Sequence, residues 1–127
     1  MKLNLERNKI SNINVFEKVN FKLLNELYLD DNQISNIEVF EKVDFKNLKK
    51  LGLENNKISD INVFEKVNFK ELKELYLNHN KISDIKALEK IQFKKLEKLI
   101  LSDNNINKTI NQVTINMLKN KIHKFNY

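Results

Sequence analysis

The sequence predicts an α/β solenoid, a coil with short parallel strands on one side and short helices on the other. Three observations predict it. Asn8, Asn32, Asn56, Asn80 and Asn104 recur every 24 residues, and a fixed period of this size marks stacked repeat units. Each asparagine follows a stretch such as Leu27-Tyr28-Leu29 or Leu75-Tyr76-Leu77, whose period of two belongs to a strand with one buried face. Between the strands, Ile13 to Phe21 is repeated residue for residue at 61–69 and nearly so at 37–45, with Ile85 to Phe93 a diverged copy.

The elements follow in order. Leu24, Leu48, Leu72 and Leu96 stand three residues ahead of the strands, so each later unit reads L-x-x-L-x-L-x-x-N-x-I. Strands one period apart must stack in parallel, because each connection recrosses the core before the next strand begins. The asparagine falls where the chain turns away, and its amide can satisfy backbone groups of its own and the adjacent turn. Asn14 followed by Glu17, and Asn62 followed by Glu65, fit a helix N-cap with a glutamate at its third position. A short helix over about Val15 to Asn20 is therefore expected, with Phe16 and Val19 facing inward. Phe21, Phe45, Phe69 and Phe93 should stack as an aromatic spine in the core.

The frame shared by these units resembles the leucine-rich-repeat family from Met1 to about Asn107, and the unit is similar to the short repeats of phosphatase-regulator-like and internalin-like proteins, though slightly longer. The resemblance implies a right-handed superhelix with a concave parallel sheet and convex helices, and a protein-binding role. Residues 1–106 are expected to hold five strands and four complete units. Residues 107–127 keep the period only in outline, with Ile115 and Met117 on the Ile91 and Phe93 positions and Phe125 on that of Leu101. They are expected to form a degenerate final repeat or cap. At the other end Leu3 and Leu5 already belong to a strand, which leaves an uncapped edge open to self-association.

Composition narrows the function. With 127 residues and no cysteine, the chain is one domain's worth of protein without disulfides or thiolate metal sites. No apolar run suits a signal peptide or a membrane span, so a cytoplasmic protein is expected. The net charge of +6 rests on lysine, with Arg7 the single arginine. Arginine is the better mark of phosphate and base recognition. Two histidines, no glycine-rich loop and no nucleophile beside a base argue against an enzyme. No cofactor or metal is implied, and Asp30, Asp31 and Glu54 are read as a solvated acidic edge rather than a cation site.

Function is therefore sought on the exposed strand positions, which vary while the framework repeats. The column Lys2, Glu26, Lys50, Glu74, Lys98 alternates in sign, a charge ladder that also guards against sheet stacking. The column Asn4, Tyr28, Gly52, Tyr76, Ile100 is the most informative, because it places the only glycine between two tyrosines, and tyrosine is enriched at binding hot spots. Two readings stay open: an aromatic-walled notch, or tyrosines leaning over the glycine and filling it. Asp30, Glu54, Asn78 and His79 lie alongside. Counted over the whole concave face, seven basic residues meet seven acidic ones, so the net positive charge lies elsewhere and nucleic acid is not the expected concave ligand. The leading expectation is a protein-binding module centred on Tyr28, Gly52 and Tyr76 and bordered by Asp30, Glu54, Lys50, Glu74, Asn78, His79 and Ile100. One concrete form is a steric inhibitor of a larger enzyme, such as a nuclease. The alternatives are a repeat scaffold without a dedicated ligand and, more weakly, nonspecific nucleic-acid binding by the convex lysine rows Lys18, Lys42, Lys66, Lys90 and Lys22, Lys46, Lys70, Lys94.

Overall fold

A computed structural model describes residues 1–127. Six three-residue strands, β1 (Lys2–Asn4), β2 (Glu26–Tyr28), β3 (Lys50–Gly52), β4 (Glu74–Tyr76), β5 (Lys98–Ile100) and β6 (Lys124–Asn126), form one parallel sheet in sequence order. Leu3, Leu27, Leu51, Leu75 and Leu99 stand in register across it. The molecule is thus an α/β solenoid of the expected kind, with its leucines inward and its variable columns on the open face.

The strands stop after three residues because the chain turns at once, and the repeated asparagines hold that turn. Asn56 Nδ2 donates to the carbonyls of Leu29 at 3.0 Å, Leu53 at 3.3 Å and Glu54 at 3.1 Å, while its Oδ1 accepts the Ile34 N–H at 2.9 Å. Asn32, Asn80 and Asn104 repeat the pattern, so each asparagine ties its own turn to the preceding unit. Asn8 reaches only Leu5 and Glu6. Just ahead of each asparagine, Arg7, Asp31, Asn55, His79 and Asp103 adopt φ between 50° and 57°. Among residues other than glycine, asparagine and aspartate tolerate this left-handed conformation best.

On the convex side the return segments are single 3-10 turns at Asn14–Lys18, Glu38–Lys42, Asn62–Glu65 and Lys86–Glu89. The expected N-cap at Asn14 and Asn62 is not made. The side chain two residues earlier takes that role: Asn12, Asn36, Asp60 and Asp84 accept the backbone N–H of residues 14, 38, 62 and 86 at 2.7–2.8 Å. A 3-10 turn rises about 2.0 Å per residue against 1.5 Å for an α-helix, so it crosses the core with fewer residues. Phe16 is buried as expected, but Val19 is 43% exposed. Of its counterparts, Val43 is half-buried and Val67 and Ile91 are buried.

The phenylalanine spine runs inside these turns. Ring centroids of Phe21 and Phe45, Phe45 and Phe69, and Phe69 and Phe93 are 5.5, 5.7 and 5.5 Å apart, with Phe16, Phe40 and Phe64 set edge-on against them. Each buried ring contributes roughly 1.5–3 kcal/mol of transfer free energy. Outside, Lys42 pairs with Glu17, Lys66 with Glu41 and Lys90 with Glu65 at 3.1–3.3 Å. These ladders are exposed, so each pair is worth only about 0.2–1 kcal/mol.

The last turn departs from the period. A true α-helix, α1 (Gln112–Lys121), replaces the 3-10 turn and takes two more residues. Phe125 therefore stands opposite Leu99, not at the Leu101 position, and Leu118 rather than Met117 is fully buried beside Ile115. At the opposite edge Met1 and Leu23 are 61% and 75% exposed.

Candidate functional site

The open face of the sheet is a polar network rather than a row of independent side chains. Lys50 Nζ and Glu74 meet across strands β3 and β4 at 2.9 Å, and Lys2 and Glu26 across β1 and β2 at 4.0 Å. The tyrosines are built into this ladder. Tyr28 donates its hydroxyl to Glu26 at 3.0 Å and Tyr76 to Glu74 at 2.6 Å, while Lys2 and Lys98 each stand 4.6 Å over a tyrosine ring. Burial and the Glu26 hydrogen bond push the Tyr28 hydroxyl up to about 12. Burial also raises the Glu74 carboxyl, but hydrogen bonds from Tyr76 and Lys50 outweigh it and hold the group below its ordinary value. Its hydrogen bond to Glu74 keeps the Lys50 ammonium above its ordinary value. Both rings are thus pinned along their own strands, toward the glutamates two residues back.

That arrangement leaves the space over Gly52 to neither of the two readings. The Asp30 carboxylate fills it: a β-carbon on Gly52 would overlap Asp30 Oδ2 and lie 2.8 Å from Oδ1. From there Oδ1 accepts the Glu54 N–H at 2.7 Å. Burial, then the charge of Glu6, raises the Asp30 carboxyl to about 6, against the lowering effect of the Glu54 N–H. A strand glycine often marks the close approach of another group, and that was the signal in the sequence; the approaching group could not be read from it.

The remaining candidates divide. Asn78 is only 8% exposed, and its Oδ1 has no partner. His79 lies in the left-handed turn with Nε2 3.5 Å from Asp103, outside the tyrosine network. Ile100 and Glu54 are half-buried on the open face. Glu6, Asp30 and Glu54 follow one another in their column and none forms an ion pair, whereas Asp31 pairs with Arg7 at 3.6 Å. No three acidic or histidine side chains converge on a common point. No helix is long and apolar enough to cross a membrane.

A parallel sheet one strand per turn, sealed by an asparagine ladder and carrying its variable residues on one face, defines a repeat solenoid built to present a surface. The chain belongs to the leucine-rich-repeat family: residues 22–66, 46–90 and 70–125 match Leucine Rich repeats (2 copies). Among solved structures, an internalin (inlF) from Listeria monocytogenes matches over 99% of this chain and 34% of its own length, at 26% identity and a TM-score of 0.76. Internalin C2 from the same species matches over 96% and 50%, at 28% identity and 0.73. The Leptospira interrogans LRR protein LIC12759 matches over 98% and 30%, at 28% identity and 0.79. The chain therefore spans 30% to 50% of the length of these proteins. No curated protein matches it by sequence. Proteins of this family commonly mediate protein–protein interaction, and their repeats are generally binding modules rather than enzymes.

Proposed function

We propose that the open face of the sheet is a protein-binding surface centred on Tyr28 and Tyr76, with Gly52 and the overlying Asp30 as the floor between them. The observation that carries this reading is the fixed pair of tyrosines. They stand two strand steps apart, about 9.6 Å, with both hydroxyls bonded and both rings capped by lysine. Groups already held in place lose little entropy on binding, and tyrosine presents a large amphipathic contact area. Lys50, Glu54, Glu74, Asn78, His79 and Ile100 border the floor. The concrete form we favour is a steric inhibitor that masks a larger enzyme, and the lack of cysteine suits a cytoplasmic setting.

Residues 107–127 we assign as the closing cap of the solenoid, in keeping with the packing of α1 on the last 3-10 turn. Self-association through β1 is a second reading, favoured by exposed Met1 and Leu23 at that edge; it predicts a dimer in sedimentation equilibrium that Leu23→Lys dissolves.

The experiment is an affinity capture from the source cell's lysate at moderate salt, with the wild type beside a Tyr28→Ala/Tyr76→Ala variant shown to be folded by circular dichroism. A captured protein is then purified and titrated against both. Binding by the wild type with a loss of tenfold or more in the variant is the expected result. Equal binding by both, or no protein partner at all, sinks the reading.

A further inference from the structure

A net positive charge stands on one flank of this protein, the side formed by the segments that lead into the strands. Residues 20–25, 44–49, 68–73 and 92–97 carry seven lysines against three acids, a net +4. The segments that leave the strands, 6–12, 30–36, 54–60, 78–84 and 102–108, carry five basic and seven acidic residues, a net −2. The lead-in segments are stacked by the backbone ladder through Asn25, Lys49 and Lys73 and by the phenylalanine spine, whose steps are 5.5–5.7 Å. Lys22, Lys46, Lys70 and Lys94 each follow a spine phenylalanine by one residue, and all four are exposed.

None of these four lysines forms an ion pair, although Lys73 and Lys95 in the same segments pair with Glu97 and Glu71 and the convex turns pair Lys42, Lys66 and Lys90 with glutamates of the preceding unit. Like charges in successive units repel one another, and these four have no acidic partner to offset it. Between the third and fourth units a shallow groove of about 580 Å³ opens on this flank, where Lys66, Lys70, Lys94 and Lys95 outnumber Glu65 and Glu71 and the single apolar residue is Val67.

We propose that this flank binds the phosphate backbone of double-helical nucleic acid without reading its sequence. A row of unpaired positive charges repeated once per unit suits a linear polyanion. The spine rings are buried, so no aromatic side chain is free to stack on unpaired bases, and lysine lacks the fork that reads base edges. An anionic membrane would call for apolar insertion as well as charge, yet along the row only Leu23, at one end, is an exposed large hydrophobic. A specific protein interface would need anchor residues that the flank does not carry. The inference stands apart from the tyrosine surface, with which it shares no residue.

The test is fluorescence anisotropy with a labelled duplex of mixed sequence over a range of salt concentrations. It compares the wild type with Lys46→Glu/Lys70→Glu and with Lys57→Glu/Lys81→Glu, two variants of identical net charge altered on opposite flanks. Each phosphate contact contributes about 0.9 to the slope of log affinity against log salt. The first variant should lose about 2 from that slope and tenfold or more in affinity at low salt, and the second should lose much less. Equal losses would reduce the effect to net charge and overturn the proposal. So would no duplex binding at low salt, tighter binding to a single strand, or co-sedimentation with phosphatidylserine vesicles in place of duplex binding. Circular dichroism confirms that both variants are folded, since all four substituted lysines are exposed.

Discussion

The Asp30 carboxylate lies directly over Gly52, in the space a β-carbon would occupy. Glycine in a strand ordinarily weakens it by roughly 0.5–1 kcal/mol relative to alanine, so Gly52→Ala alone would be expected to stabilise. Here it must also evict Asp30 and break its hydrogen bond to the Glu54 N–H, which is worth about 1.5–3 kcal/mol when one partner is charged. Gly52→Ala should therefore destabilise the protein by about 1 kcal/mol. In an Asp30→Ala background the same change should stabilise it. A double-mutant cycle from urea denaturation checks this, and additivity of the two changes would contradict the geometry.

The same carboxylate makes stability depend on pH. The folded protein raises the Asp30 carboxyl from its ordinary 3.8 to about 6, so it holds that proton more tightly than the unfolded chain does. The contribution to stability is greatest below about pH 3.8, falls as the pH rises toward about 6, and is flat above. Asp30→Asn keeps an acceptor for the Glu54 N–H but cannot titrate. Its stability relative to the wild type should rise across that window and nowhere else. Urea midpoints measured at pH steps check the difference, and the carboxyl carbon of Asp30 followed by NMR should titrate near 6.

The asparagine ladder predicts a gradient of cost along the chain. Asn56 makes four hydrogen bonds to buried or half-buried backbone, and Asn56→Ala would leave several of those groups unpaired. The cost of an orphaned buried group is about 1–3 kcal/mol, so a loss of about 3 kcal/mol is expected. Asn8→Ala removes only two exposed bonds and should cost less than about 1 kcal/mol. Chemical denaturation of the two variants measures the contrast, and equal costs would contradict a ladder that links units.

How much of this was legible in the sequence follows from what repeats. Leu27, Asn32 and Phe45 recur at one period, and repetition alone places them in register, so the sheet, the ladder and the spine could be read directly. Where a residue is single, the reading stopped. Gly52 occurs once, and whether its space was open, filled by tyrosine or filled by Asp30 depended on side-chain directions that no period encodes. The Asn14 cap was misplaced because Asn12, Asn36, Asp60 and Asp84 compete for the same backbone N–H groups, and the short crossing favours a 3-10 turn. Phe125 was assigned two residues off because a 24-residue count cannot see that α1 lengthens the last return.

Asn78 is where the repeat leaves a polar atom unserved, and it yields the last prediction. Its counterpart Asp30 lies down over Gly52 and reaches the N–H of residue 54 in the next unit. One unit along from Asn78 the corresponding neighbour is Ile100, whose side chain stands where Gly52 leaves room. Asn78 Oδ1 is consequently buried without a partner, at a cost of about 1–3 kcal/mol. Leucine has the same branched shape, is somewhat larger and has no such atom, so Asn78→Leu should raise stability by about 1 kcal/mol in urea denaturation. The companion variant Ile100→Gly should rescue the asparagine by opening the same space that Asp30 uses, and Asn78→Leu should then gain less in that background. If Asn78→Leu is destabilising in both backgrounds, the amide is satisfied in solution and the steric contrast between Gly52 and Ile100 is not what sets the two side chains apart.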